Sequence, residues 1–304
     1  MKHQIGLIGH PVSHSKSPEL FRDFFTTAPN QQWHYELWDL PNVDELYPII
    51  SNPNIRGFNV TLPHKTSIIS HLNFISADAF QMQSVNTVIS IPPHSKTLEQ
   101  LRAHLENYNL DLIELDSLNA KQSARSHFSQ QKHNLQTDSI NTNYLIGFNT
   151  DILGFEDSIN RFHQKFNQAV IIGNGGSSKS VKQLLSIKKI PFLQYSRTPN
   201  SKDLVQGMDE LLHRLPSPNT LWINTSPAGM SPNIDLMPMV PKTSIHTTDT
   251  LIDLIYNPEV TKLMRHFQQC GAQTLNGWTM LTSQAKHAWK LFQLSAELSK
   301  NYSN

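Results

Sequence analysis

The stretch from Ala169 to Lys179 constrains the fold more than any other part of the chain. Ala169-Val-Ile-Ile is an apolar run of strand length, Gly173-Asn174-Gly175-Gly176 interrupts it, and a helical pattern runs from Lys179 to residue 189. A second strand is expected from Pro191 to Ser196, with further strands at Leu221–Asn224 and Thr250–Leu254. Parallel strands need helical crossovers, so this half is predicted to be a parallel sheet. A glycine turn between such a strand and helix lets the backbone approach a phosphate closely, and the helix N-terminus offers it free amides. Gly173, Asn174, Gly175, Gly176, Ser177, Ser178 and Lys179 are therefore expected to bind a dinucleotide. Ser178 stands where the third small residue is normally glycine or alanine. An ordinary glycine-rich turn is the plain alternative, and the flanking strand and helix argue against it.

The end of the second strand refines the choice of cofactor. An NAD-type site usually carries an acid there to hold the ribose 2′-hydroxyl. No Asp or Glu occurs from Asn174 to Lys202, and the strand runs into Ser196-Arg197-Thr198. Arg197 can pair with a 2′-phosphate, which favours NADP.

The remainder of the composition narrows the partners. The 304 residues carry a net charge of +1, with 38% hydrophobic and 16% charged residues. That is enough chain for two domains. A balanced charge offers no strong field to nucleic acid or an anionic membrane, so a small-molecule partner is expected. No apolar run approaches the roughly 20 residues that span a bilayer. The run at Met1–Gly9 is too short for a signal peptide and reads as a first strand. The single cysteine, Cys270, excludes an internal disulfide. A cytoplasmic protein without a metal site is expected.

The first half alternates strand and helix signals. Ile5–Gly9 leads through a loop to Ser17-Pro18-Glu19, read as a helix start with Ser17 as N-cap. His34–Trp38 and Gly57–Leu62 have strand character, and Val43–Ile50 between them has helical spacing. Val85–Ile91 and Asn143–Phe148 read as two strands able to pair across about fifty residues. Within that interval Thr97-Leu98-Glu99-Gln100 has capping-box form, and Leu98, Leu101 and Leu105 continue at helical spacing. Beyond Asn119 the segment is rich in Gln, Asn, Ser and His, the composition of a mobile elaboration. Met280–Leu298 reads as a long amphipathic helix.

Two further blocks carry chemistry. Gly57-Phe-Asn59-Val-Thr61-Leu-Pro63-His-Lys65 ends in a lysine, and Asn149-Thr150-Asp151 ends in a carboxylate. A carbonyl that receives hydride needs a proton on its oxygen. A lysine ammonium can supply it, or polarise the carbonyl, with a carboxylate fixing its position. Ser15 and Ser17 offer hydroxyls to a substrate carboxylate, although helix capping is the commoner use of such a serine.

Taken together these blocks closely resemble the bacterial shikimate dehydrogenases. The resemblance rests on His14-Ser-Lys-Ser-Pro18, Asn59–Lys65, Val85-Asn86-Thr87, Asn149–Asp151, Gly173–Lys179, Ser196-Arg197-Thr198, Asn224–Met230, Asp253–Pro258 and Asn276–Ala285, in family order over nearly the whole chain. It implies an α/β protein of two domains with a cleft between them. The substrate domain would be residues 1–150, completed by the C-terminal helix at 277–304, and the Rossmann-type NADP domain 151–276. It implies reversible reduction of 3-dehydroshikimate by NADPH to shikimate, towards aromatic amino acids. Lys65 would be the acid/base with Asp151 as partner. Ser15 and Ser17 would hold the substrate carboxylate, and Thr61, Lys65, Asn86, Asp151, Tyr256 and Gln284 would surround its ring. Gly173–Lys179 and Ser196–Thr198 would bind NADP, with Leu254 and Gly277 on the nicotinamide side. The assembly would be a monomer or homodimer.

The chain departs from the family in an insert at about 92–142, in Gln83-Ser84 before Val85, in Ser196 for the usual Asn, and in Ser180 on the cofactor helix. A quinate/shikimate dehydrogenase using NAD is the nearest alternative. A non-catalytic regulatory paralogue is the other, and the presence of both Lys65 and Asp151 argues against it.

Overall fold

The computed structural model describes residues 2–28, 31–107, 110–115, 143–196, 205–206 and 218–302. It has two compact units, Met1–Thr150 with Ala285–Asn304, and Asp151–Gln284. Among the described residues no helix is long and apolar enough to cross a membrane.

Unit 1 is built on a seven-stranded sheet. Its strands are β1 (Lys2–Gly9), β2 (Gln32–Asp39), β3 (Gly57–Val60), β4 (Phe74–Ser76), β5 (Thr87–Ile91), β6 (Leu112–Glu114) and β7 (Tyr144–Phe148), in spatial order β2-β1-β3-β5-β7-β4-β6. Only β5 and β6 run against their neighbours. The two strands flanking the insert do pair, with Thr87 opposite Phe148 and Ile91 opposite Tyr144. Helices α1 (Ser17–Phe25), α2 (Tyr47–Ile50), α3 (Ala77–Met82) and α4 (Ser95–Glu106) complete the unit's N-terminal part.

Alternation along the strands sorts their side chains between two faces. Ile8, Phe58, Val60, Val88 and Leu145 join Val43, Leu46, Ile49 and Ile68 in one apolar core. On the opposite face Phe21 of α1 stacks on Tyr35 at 4.5 Å between ring centroids, and Phe292 of the C-terminal helix lies 5.9 Å from Phe21. Trp289 meets Trp33 edge-on at 4.6 Å. Aromatic pairs of this kind add about 0.5–1.5 kcal/mol each beyond burial, so on this face rings supplement buried aliphatics such as Ile5, Ile89 and Ile146.

Two helix starts differ from the sequence expectation. Ser17 is the first residue of α1 and Lys16 its N-cap, because the Ser15 hydroxyl takes the Ser17 N–H while the Lys16 carbonyl accepts from Leu20. In α4 the cap is His94, whose ring accepts the Lys96 N–H at 3.2 Å, so Thr97 is a buried first-turn residue and no capping box forms. Leu101 and Leu105 are buried as their spacing predicts. The described part of the insert is also more than a surface elaboration. β6 extends the sheet by pairing with β4, and Arg102 of α4 ties the two together, donating to the Leu112 carbonyl at 3.3 Å and lying 5.9 Å over the Phe74 ring. The polar segment beyond Asn119 lies outside the described residues.

Unit 2 holds a six-stranded, wholly parallel sheet of β8 (Gln168–Ile172), β9 (Phe192–Tyr195), β10 (Val205–Gln206), β11 (Thr220–Asn224), β12 (Thr250–Asp253) and β13 (Gln273–Asn276). The spatial order β10-β9-β8-β11-β12-β13 is 3-2-1-4-5-6 counted from its own first strand, the doubly wound Rossmann order. Its described helices include α5 (Thr150–Ile159), α6 (Gly176–Ile187) and α7 (Lys262–Gln269). Trp222 anchors the core with Val170, Ile172, Leu251, Leu263 and Phe267, and its indole donates to Asp249 at 3.1 Å. The last helix, α8 (Trp278–Tyr302), runs through the division between the units, which falls after Gln284.

A histidine–arginine pair is buried at the start of β1. His3, at the start of β1, accepts from Arg56 Nε at 3.1 Å through Nδ1, stacks against Trp33, and has no partner at Nε2. Burial, reinforced by the Arg56 charge, lowers its pKa from 6.5 to about 4. A histidine with a depressed folded pKa contributes stability above its unfolded pKa and loses it as the pH falls through the folded value. The urea midpoint of the protein should therefore drop as pH is lowered from about 6.5 to about 4. His3→Gln keeps an acceptor for Arg56 and cannot be protonated, so it should shrink that drop; an unchanged pH profile would exclude His3 as its source.

Candidate active site

In unit 1 the polar residues expected at the site gather at one end of the sheet. β1 and β3 are parallel with Ile8 beside Val60, so the loops leaving them, with Ser15 and Ser17 after β1 and Thr61 and Lys65 after β3, emerge at the same end. β5 runs the other way and enters there at Asn86-Thr87, and β7 leaves there at Asn149-Thr150. Backbone bonds lock the loops to one another. Thr61 N–H donates to Ile8 at 2.9 Å, Val85 N–H to the Lys65 carbonyl at 2.8 Å, Val60 N–H to Asn86 at 2.8 Å, and Asn86 N–H to Phe148 at 3.0 Å. Ser15, Ser17, Thr61 and Lys65 are half-buried, whereas Asn86 is buried.

Beneath these residues lies a hydrogen-bond network to which sequence reasoning gave no role. Tyr35 donates to Asn59 Oδ1 at 3.0 Å, and Asn59 Nδ2 donates to Thr87 Oγ1 at 3.2 Å and to the Asn86 carbonyl at 3.4 Å. Asn86 Oδ1 receives Thr150 N–H at 2.7 Å and the hydroxyls of Thr87 at 3.1 Å and Thr150 at 3.2 Å. Asn149 donates to the Ser84 carbonyl at 2.9 Å. At the other end Ser15 donates to Ser17 Oγ at 3.1 Å, and the Ser17 hydroxyl bonds the Tyr35 phenol. Burial pushes that phenol well above the usual tyrosine range. The only sequence signal for this network was a polar residue at strand positions 59 and 87, where aliphatics alternate.

In unit 2 the glycine turn follows β8 as predicted. Gly173 has φ +105°, and a Cβ there would lie 2.8 Å from Thr225 Oγ1 and 2.9 Å from Ser226 N, so glycine is required by conformation and by close approach. The turn is held by Gly173 N–H donating to Tyr195 at 2.7 Å and by the buried Gln194 amide donating to the Gly173 carbonyl at 2.7 Å. Ser178 accounts for the departure at the third small position: it is buried, and its hydroxyl donates to the Gly175 carbonyl at 2.6 Å. Gly175 and Gly176 differ from Gly173. Among the described residues, a Cβ on Gly175 would meet only the Thr225 carbonyl at 4.0 Å, and one on Gly176 would meet nothing within 4 Å. Packing against the described residues does not require them to be small, which fits a cradle for a phosphate approaching the α6 N-terminus.

The C-terminal ends of β11 and β12 are fixed by a buried carboxylate. Asp253 accepts from Asn224 Nδ2 at 2.9 Å, Thr261 Oγ1 at 2.6 Å and Ile255 N–H at 3.2 Å, and burial raises its pKa. Leu254 N–H donates to Asn224 at 3.0 Å, and the Leu254 carbonyl would lie 2.0 Å from a Cβ on Gly277, so close packing alone explains that glycine. Tyr256 is exposed and pairs with Trp278 at 6.2 Å between centroids, a partner the sequence reading did not include. Gln284, on α8, donates to the Leu281 carbonyl at 3.0 Å. Asp151 is half-buried in the first turn of α5. Asn174, Ser177 and Lys179 are exposed and Ser196 is buried, whereas Arg197 and Thr198 lie outside the described residues. Ser15, Ser17, Thr61, Lys65 and Asn86 thus belong to unit 1, and Asp151, Tyr256, Gln284 and the glycine turn to unit 2.

The chain is similar to several known proteins. Residues 7–88 match the sequence model of the shikimate dehydrogenase substrate binding domain. The chain is 29% identical over 311 residues to the shikimate dehydrogenase (NADP(+)) of Halothermothrix orenii, covering 95% of this chain and 90% of that protein. Among solved structures, a chorismate mutase/shikimate 5-dehydrogenase fusion protein from Clostridium acetobutylicum matches with a TM-score of 0.71 at 23% identity, over 99% of this chain and 97% of that one. A shikimate dehydrogenase in complex with NADP+ matches with a TM-score of 0.67 at 25% identity, over 99% and 96%. In its matching N-terminal segment, its near end-to-end alignment and its Rossmann-ordered second sheet, the chain is similar to the shikimate dehydrogenases.

Proposed function

We propose that the chain catalyses the reversible NADPH-dependent reduction of 3-dehydroshikimate to shikimate, a step towards aromatic amino acids. The observation that carries this reading is the near end-to-end similarity to a curated NADP(+) shikimate dehydrogenase, with Lys65 and Asp151 both present. Unit 1 serves as the substrate-binding part and unit 2 as the NADP-binding part. NADPH, when bound, supplies the hydride. Gly173–Lys179 at the start of α6 would receive its pyrophosphate, and Ser196, Arg197 and Thr198 its 2′-phosphate, with Leu254 and Gly277 towards the nicotinamide.

The protein's own contribution is positioning and proton management. Ser15 and Ser17 donate to the substrate carboxylate, and Thr61, Asn86, Tyr256 and Gln284 hold the ring and its hydroxyls. Lys65 delivers a proton to the carbonyl oxygen as the carbon accepts hydride, and Asp151 orients Lys65. In the reverse direction Lys65 takes the hydroxyl proton. The same reading takes the protein to be a cytoplasmic monomer or homodimer.

Replacing Lys65 with Ala should lower kcat by about 10²–10⁴, the usual contribution of a general acid/base, while NADPH still binds as judged by its fluorescence. Near-normal turnover in that variant would remove Lys65 from the mechanism. The glycines separate packing from cofactor binding. Gly176→Ala should keep the melting temperature and weaken NADPH binding, because its Cβ meets only what the turn binds. Gly173→Ala should lower the melting temperature itself, since it forces a left-handed φ and a contact with Thr225. Unaltered NADPH affinity in Gly176→Ala would show that the turn is not the phosphate cradle.

A further inference from the structure

The network under the unit 1 site has a fixed direction, and the backbone fixes it. An amide side chain can be turned either way unless a neighbour of known polarity decides. For Asn86 that neighbour is the Thr150 N–H, 2.7 Å from Oδ1, which can only donate. For Asn59 it is the Asn86 carbonyl, 3.4 Å from Nδ2, which can only accept. Asn59 Oδ1 must then face the Tyr35 phenol, so Tyr35 donates. The Thr87 hydroxyl accepts from Asn59 Nδ2 and has one hydrogen to give. It gives that hydrogen either directly to Asn86 Oδ1 at 3.1 Å, or to Thr150 Oγ1 at 3.3 Å, whose own hydroxyl then donates to Asn86 Oδ1 at 3.2 Å. Both routes end on the same atom.

We propose that Tyr35, Asn59 and Thr87 form a one-way relay of positioning residues, which brings a further donor to Asn86 Oδ1 and so reinforces the Thr150 N–H in holding that oxygen inward, leaving Asn86 to meet the substrate as a hydrogen-bond donor. This deepens the functional reading above and rests on it. Asn86 then recognises an acceptor, the lone pair of a ring hydroxyl oxygen, and the relay links that subsite to the Ser15–Ser17 end through the Tyr35 phenol.

Stability does not account for the network. Asn59 is 6% exposed and Thr87 and Thr150 are 0% exposed, in a sheet whose neighbouring positions are Phe58, Val60, Val88 and Ile89. Buried polar groups cost free energy unless hydrogen-bonded, and replacing both partners by apolar groups of the same shape is often nearly neutral. Aliphatic residues at 59 and 87 could fill the same space. They could not bring a second donor to Asn86 Oδ1 beside the Thr150 N–H.

The test is steady-state oxidation of shikimate with NADP+ by the wild type, Thr87→Val, Thr87→Ser, Tyr35→Phe and the Tyr35→Phe/Thr87→Val double variant, with melting temperatures for each. Thr87→Val and Tyr35→Phe should each raise KM for shikimate about tenfold, the equivalent of one hydrogen bond, and leave KM for NADP+ unchanged. Thr87→Ser should restore the wild-type value. The double variant should lose no more than the worse single variant, because both break one chain. Multiplying losses, an unchanged KM for shikimate, or a parallel rise in KM for NADP+ would each overturn the relay. A wild type that turns over no shikimate would overturn the functional reading, and the relay with it. An active wild type beside an indifferent Thr87→Val overturns the relay alone.

Discussion

The bond from Thr150 N–H to Asn86 Oδ1, 2.7 Å long and fully buried, is the constraint on which unit 1's polar edge depends. It joins the end of β7 to the start of β5 and, because a backbone amide can only donate, sets the orientation of the Asn86 amide, while the Asn86 carbonyl sets that of Asn59. The sheet makes this possible. β1, β3 and β7 leave at the end where β5 enters, so four chain segments remote in sequence present polar residues together. The surrounding strand residues are aliphatic or aromatic, which keeps water away and makes each internal hydrogen bond more directional than it would be in solvent.

Unit 2 solves a different problem with the same means. Its turn after β8 is rigid where it touches protein and open where it does not. Gly173 is held by Tyr195 and Gln194 and hemmed in by the Thr225 hydroxyl and the Ser226 backbone, while the two glycines after it are uncrowded by the described residues. Asp253 performs the analogous service at the ends of β11 and β12, where one buried carboxylate gathers Asn224, Ile255 and Thr261. Preorganised backbone donors and small residues at strand ends are what a doubly wound sheet offers a dinucleotide.

Much of this was legible in the sequence because it depends on local pattern. The apolar run before Gly173 and the helix after it needed only periodicity and turn chemistry, and β8 and α6 lie within a few residues of where those rules put them. The strand character of β5 and β7 was legible for the same reason, and the two strands do pair. Ser17 and Thr97 show where local rules stop. Each had a capping signature, and each lost the cap to a neighbour, Lys16 in one case and His94 in the other, whose backbone geometry the pattern does not encode. The role of Asn59 and Thr87 was hidden further, since it depends on which strands lie side by side. Asn59 reaches Thr87 only because β3 and β5 pair with those residues in register, and Tyr35 reaches Asn59 from the far side of β1. The same holds for β6, which reads as loop until β4 is known to be its neighbour.

The most direct measurement is the specificity constant of the purified protein for shikimate and for quinate, each with NADP+ and with NAD+, followed through the absorbance of the reduced cofactor. The proposed function predicts the highest kcat/KM for shikimate with NADP+. Higher values for quinate or for NAD+, or no turnover with any of the four pairs, would contradict it.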